Sequence, residues 1–135
     1  MRAEANYKHF KLSSSKPKME GNEYVIKIEN TMTGNFEHIP FHSKVPINGK
    51  HKLLRAFRDI LVAAQFGQMN PPSFCAKMNL DPNTEQAQTL FQKSRRTCEQ
   101  LDSVLSLDYI SRYWDTAKDM VREGLVPPLD SAIKP

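Results

Sequence analysis

The side chains of this 135-residue chain that could do chemistry are four histidines, two cysteines and one row of carboxylates. His38 and His42 lie four apart with Pro40 between them, so they cannot share a helix face. On an extended strand they point the same way but about 13 Å apart, too far to grip one metal ion. Cys75 and Cys98 could join them only through tertiary contact. Cys98 falls on an apolar helical stripe, where a thiol acts as a small hydrophobe. A Cys–His nucleophile would need Cys75 beside His42 or His51, and no base adjacent in sequence activates Cys75. Asp115, Asp119 and Glu123 recur at i, i+4 and i+8, a row that could bind a cation or move protons. Lys118 and Arg122 interleave with them, so pairing at i, i+3 on a solvated face accounts for the row. Gly21, Gly34, Gly49, Gly67 and Gly124 are scattered and form no phosphate-cradling loop, which argues against ordinary nucleotide-dependent catalysis. We therefore assign no catalytic, metal or cofactor-binding residue from the sequence and expect a chain that is not an enzyme.

Binding chemistry is better represented. Residues 1–55 carry ten bases against five acids, a net +5, and residues 56–135 carry nine against ten, a net −1. All four histidines also lie in the basic part. A basic segment favours phosphate or an acidic protein surface. Its bases mix with aromatics: Tyr7, His9 and Lys11 alternate along one side of a segment whose other side holds Lys8 and Phe10. A sheet face of this composition can stack bases and follow phosphates. The candidate nucleic-acid-binding residues are Lys8, Lys11, Lys16, Lys18, Lys50, Lys52 and Arg55. The simpler reading is that Phe10, Tyr24 and Phe36 pack the core. Arg95 and Arg96 are adjacent and so face different directions on a helix, which makes them a weak second patch. Tyr109 and Tyr113 lie four apart beside an apolar stripe and are either core-rim residues or the centre of a protein interface.

The elements that must hold these residues begin with strands. Tyr7–Leu12 alternates and reads as the first, and the polar stretch 13–22 as a loop. Glu23–Asn30 is the clearest strand, with Tyr24, Ile26 and Ile28 on one face. Thr31–Asn35 is a turn containing Gly34, and Phe36–Phe41 returns as a strand that Pro40 makes either short or an edge strand. A helix follows over 50–68, where Leu53, Leu54, Phe57, Ile60, Leu61 and Ala64 form one stripe. Ser73–Leu80 is ambiguous, with room for one short helical turn. Asp81 and Pro82 signal the start of a second long helix, with Ala87, Leu90, Phe91, Ser94, Cys98, Leu101, Val104 and Leu105 as its stripe. A third starts near Ser106 or Asp108, buries Leu107, Ile110, Trp114, Ala117 and Val121, and ends at Gly124. Residues 125–135 read as a tail, loose from Leu129 to Pro135.

The expected architecture is α+β. A three-stranded antiparallel meander over 6–41 packs against about three helices over 50–124, all in one domain spanning 1–135. A mean hydropathy of −0.57 with 39% hydrophobic residues suits a soluble domain with a real core. The longest apolar run, Ile60–Ala64, is far too short to span a membrane, and no secretory leader is visible. Two thiols then suggest the cytoplasm or another reducing compartment. Three functional readings remain. The first is a small interaction module, an accessory or assembly subunit docking a protein partner or larger complex. The second is a nucleic-acid-binding accessory protein that meets RNA or DNA with its basic half. The third is an enzyme of unfamiliar type that gathers His38, His42, His51 or Cys75 with a carboxylate.

Overall fold

The computed structural model describes residues 3–105 and 113–128. Among them are four strands and four helices: β1 (Ala3–Tyr7), β2 (Phe10–Ser15), β3 (Glu23–Asn30), β4 (Phe36–His42), α1 (Lys50–Gly67), α2 (Pro71–Lys77), α3 (Glu85–Val104) and α4 (Tyr113–Arg122). The strands form one antiparallel sheet in the order β1-β2-β3-β4. The class is α+β, as expected, but the sheet has four strands rather than three.

The extra strand comes from a turn with no sequence signal. Residues 7–12 alternate as if continuous, yet Tyr7 pairs with Phe10 across a two-residue turn at Lys8 and His9. Lys8 takes a φ of 53°, a left-handed conformation usually left to Gly or Asn. Because Tyr7 and Phe10 oppose each other, both point to the same face, where Ala3, Ala5 and Leu12 join them. β2 then runs through Ser13–Ser15, which the polarity of the segment disguised as loop. Ser14 is buried, and its Oγ accepts a hydrogen bond from the Ala3 amide at 3.3 Å.

One face of the sheet is covered by helices. α1 lies over β1 and β2, and α3 over β4 and part of β3. The covered face presents Ala3, Ala5, Tyr7, Phe10, Leu12, Tyr24, Ile26, Ile28 and Ile39, all buried. Onto it α1 delivers the stripe read from its 3.6-residue period, Leu53 to Ala64. Ala56, Val62 and Phe66 are buried as well, because α1 also packs against α3 and α4. At its C-terminal end α1 approaches α3 so closely that a Cβ at Gly67 would overlap the Ser94 carbonyl.

Several boundaries move for identifiable reasons. Pro71 and Pro72 do not merely stop α1; they open α2, whose cap is Asn70, its side chain accepting from the Ser73 amide at 2.9 Å. The cap of α3 is Thr84 rather than Asp81, with its Oγ1 accepting from the Ala87 amide. Asp81 caps a turn just before it, accepting from the Asn83 amide. The start expected for the last helix near Ser106 or Asp108, with Leu107 and Ile110, lies outside the described residues. In α4 the buried positions are Tyr113, Thr116, Ala117 and Met120, while Trp114 and Val121 are half-buried. The buried side is thus turned by about one residue from the expected stripe. Gly124, at φ 76°, closes α4 as expected: its amide bonds to the Val121 carbonyl and that of Leu125 to Met120. The first residues of the tail are packed, and the loose stretch expected over Leu129–Pro135 lies outside the described residues. Val126 is buried, and the Pro127 carbonyl accepts from buried Arg58 of α1 at 2.7 Å.

Candidate functional site

The candidate bases do not form one patch. Lys8 sits in the β1–β2 turn at one end of the sheet, and Lys16 and Lys18 in the β2–β3 loop at the other. Lys11 projects from the face opposite the helices, whereas Lys50, Lys52 and Arg55 stand on α1, which covers the other face. The sheet itself therefore separates these groups. Lys8 and Lys16 are folded over neighbouring rings, with Nζ 5.5 Å from the Tyr7 centroid and 5.4 Å from that of Tyr24. The seven candidate bases thus stand on both faces and at both ends of the sheet.

Two of the seven do converge, and on residues the sequence reading had not grouped with them. Lys52 and Arg55 line a cleft of about 210 Å³ together with His42, Lys44 and Asp59, beside the end of β4. A second cleft of about 200 Å³ shares His42 and Asp59 and continues past Pro40 to Lys93 and Thr97 of α3. A third, about 470 Å³, shares Pro40, Lys93 and Thr97 and runs along α3 past Arg95, Arg96, Glu99 and Gln100. The three make one trough along the β4 edge. Its bases are Lys44, Lys52, Arg55, Lys93, Arg95 and Arg96, against two carboxylates. Of those carboxylates, Asp59 is already engaged by Arg58, whose Nη2 and Nε lie 2.8 and 3.0 Å from Oδ1. Arg95 is partly committed as well, donating to the Gly67 carbonyl at 3.1 Å. Lys93 and Arg96 are exposed and share one side of α3 at i, i+3 spacing. That spacing was the available signal; what hid the trough is that its three walls come from distant segments.

The same edge is closed to strand addition over its middle. The His38 carbonyl points outward and accepts from Gln100 Nε2 of α3 at 3.0 Å. Pro40, two residues on, has no amide hydrogen to offer. Both are devices that blunt an edge strand, and they sit side by side here.

The face of the sheet opposite the helices is different in kind. β4 sets Phe36, His38 and Pro40 on it, all exposed, with Lys27 and Glu29 of β3 and Lys11 of β2 beside them. Phe36 is 50% exposed, so it does not pack the core as Phe10 and Tyr24 do. Lys27 Nζ lies 4.6 Å from its ring centroid, and the His38 ring meets it edge-on at 5.6 Å. Among the described residues no helix packs on this face.

The remaining candidates resolve into structure. Tyr113 is not a surface residue: it is fully buried, and its hydroxyl donates to the Asp102 carboxylate, tying α4 to α3. Burial first, then that carboxylate, pushes its phenol well above the ordinary range. Tyr109 lies outside the described residues. Cys98 is buried beside the same pair, and its thiol is pushed up to about 11, chiefly by burial and then by Asp102. Cys75 is buried as a free thiol in α2, so it offers no exposed nucleophile. His42 Nδ1 contacts Glu23 Oε1 at 2.8 Å on the surface. Asp119 pairs with Arg122 along α4, as its spacing implies. Among the described residues, no three His, Cys, Asp or Glu side chains gather to hold a metal ion, and no helix is long and apolar enough to cross a membrane.

Comparison of the chain with family models, with curated proteins and with solved structures finds no match in any of the three.

Proposed function

We propose that this chain is a non-catalytic binding module and that the trough along β4 grips the phosphate backbone of a nucleic acid. The observation that carries this reading is the charge of the trough: six bases line it against two carboxylates, one of which Arg58 already neutralises. A continuous basic channel suits a chain of phosphates better than a single small anion. The blunted β4 edge speaks against the main alternative there, an extended peptide adding to the sheet. The test is binding of a labelled oligonucleotide at rising salt. Each phosphate held by a base should contribute a slope near −0.7 to −0.9 in log affinity against log salt. Charge reversal at Lys52, Arg55, Lys93 and Arg96 should flatten that slope and weaken binding at least about 100-fold at low salt. No binding at low salt, or binding indifferent to the four changes, overturns the reading.

A second reading, an accessory or assembly subunit held by a protein partner, draws on the groove between α2 and α3. That groove measures about 580 Å³ and is walled by Pro71, Cys75, Pro82, Ala87 and Phe91. A partner retained from native extract after nuclease treatment, and lost when Gln88 in the groove is changed to Arg, favours it.

A further inference from the structure

We propose that the outward row of β4, Phe36–His38–Pro40, is a base-stacking platform, so that the nucleic acid held by this module is single-stranded. This rests on the trough reading and specifies its ligand. Three neighbouring same-face positions of one strand carry ring side chains, and all three are exposed. Alternate residues of a strand recur about every 6.6 Å, so the row offers ring surfaces at regular intervals along one line, with the Phe36 and His38 rings perpendicular to one another. Pro40 also serves to blunt the edge, but an edge strand that needed only to be soluble would carry Lys, Thr or Glu in place of Phe36 and His38.

Charge separates the roles of the two surfaces. On the uncovered face Lys11 and Lys27 are balanced by Glu4 and Glu29, and the Lys27–Glu29 contact is 3.6 Å. A balanced face has no particular pull on phosphate, but its rings accept neutral bases. Around the edge of β4 the sign changes: Lys93 and Arg96 flank Pro40 from α3. Pro40 belongs to both surfaces, standing in the outward row and lining the trough. A strand lying along this edge can rest its phosphates against α3 while its bases turn over β4 onto Phe36 and His38. A duplex cannot, because its bases are already stacked and paired inside. The half of Phe36 that Lys27 and His38 leave exposed is the contact surface.

The experiment uses the full chain and two fluorescein-labelled probes, an oligo-dT of about twelve nucleotides and a duplex of the same length, followed by anisotropy. The wild type should prefer the single strand. Phe36→Ala should weaken oligo-dT binding about 10-fold and duplex binding less than about two-fold, whereas Phe36→Trp should keep or improve the former. Lys93→Glu with Arg96→Glu should weaken both probes. Phe36→Ala leaving oligo-dT affinity intact, while the charge reversals reduce it, refutes the platform and spares the trough. Equal loss on both probes with Phe36→Ala also refutes the platform. Binding of neither probe at low salt refutes the trough and the platform together. Phe36 is half exposed, so an unchanged melting curve for Phe36→Ala is the expected control. If that variant does not fold, Phe36→Thr and His38→Ala make the same comparison.

Discussion

The two faces of the sheet are made by the same four strands and share nothing else. Along β3, Tyr24, Ile26 and Ile28 are buried, while Val25, Lys27 and Glu29 between them reach toward solvent. The helix-covered face is apolar over its middle, and polar side chains set into it are bonded: buried Asn30 donates to the Val104 carbonyl at 3.1 Å and accepts from the Met32 amide at 3.0 Å, and Glu37, opposite Ile28, accepts from Gln100 Nε2 at 3.2 Å. The other face mixes balanced charge with exposed rings. One face is spent on folding, which leaves the other free to vary with a ligand. The comparison separates residues whose loss should unfold the protein from residues whose loss should change only what it binds.

The sharpest division lies between neighbours in sequence. Ile28 is fully buried at the centre of the sheet, opposite Leu12. Ile28→Ala should cost about 2–5 kcal/mol, the range for a large aliphatic lost from a closed core. Urea denaturation reads it directly, and a cost under about 1 kcal/mol would mean the covered face is not the core.

The covered face also depends on how the helices above it meet. Gly67→Ala places a methyl against the Ser94 carbonyl, and neither partner is a flexible side-chain tip. Separating α1 from α3 should cost about 1–3 kcal/mol. It should also disturb the Arg95 bond to the Gly67 carbonyl, and with it one wall of the trough. Oligonucleotide affinity should therefore fall with stability in this variant, unlike in any variant confined to the uncovered face.

High pH probes the far side of the helical layer. The Cys98 thiol is raised from 9.0 to about 11, and Tyr113 moves in the same direction. A thiol held neutral in the fold ionises more readily once unfolded, so the native state binds more protons between those two values. The stabilisation is complete below about pH 9 and is lost as pH rises toward 11. The Cys98 contribution is about 3 kcal/mol over that window. Denaturation midpoints measured from pH 8 to 11 should fall, and should fall less in Cys98→Ala once its lower starting stability is subtracted. A flat wild-type profile would mean that Cys98 and Tyr113 are not held neutral beside Asp102.

Much of this division was legible in the sequence. The alternation in 23–30 and the 3.6-residue stripe in 50–68 are set by burial against a single layer, and such periods survive in the chain itself. The hairpin at Lys8 and His9 was not legible, since Lys8 adopts a positive φ without the Gly or Asn that would advertise it. The side of α4 that is buried was misjudged because Tyr113 is held by Asp102, a contact made across helices. The trough was only half legible. Lys52 and Arg55 were candidates from local charge density, but Lys93 and Arg96 come 38 and 41 residues after Arg55 and reach the same trough only through the α1–α3 packing. Phe36 was judged by residue type, whereas its exposure follows from register: it pairs with Glu29, an outward position.

The smallest effect belongs to the residue beside Ile28. Lys27 is half-buried, stands over Phe36 and touches Glu29 only loosely, so Lys27→Ala should change stability by no more than about 0.5 kcal/mol in either direction. The contrast with Ile28→Ala is what matters, because the two residues are neighbours on one strand and point to opposite sides of the sheet. Removing the ammonium also uncovers one side of the Phe36 ring. If that ring stacks bases, oligo-dT binding should hold or tighten in Lys27→Ala at high salt, where lost charge counts least. A large stability loss in this variant would instead show that the uncovered face supports the fold, and the distinction between the two faces would fail.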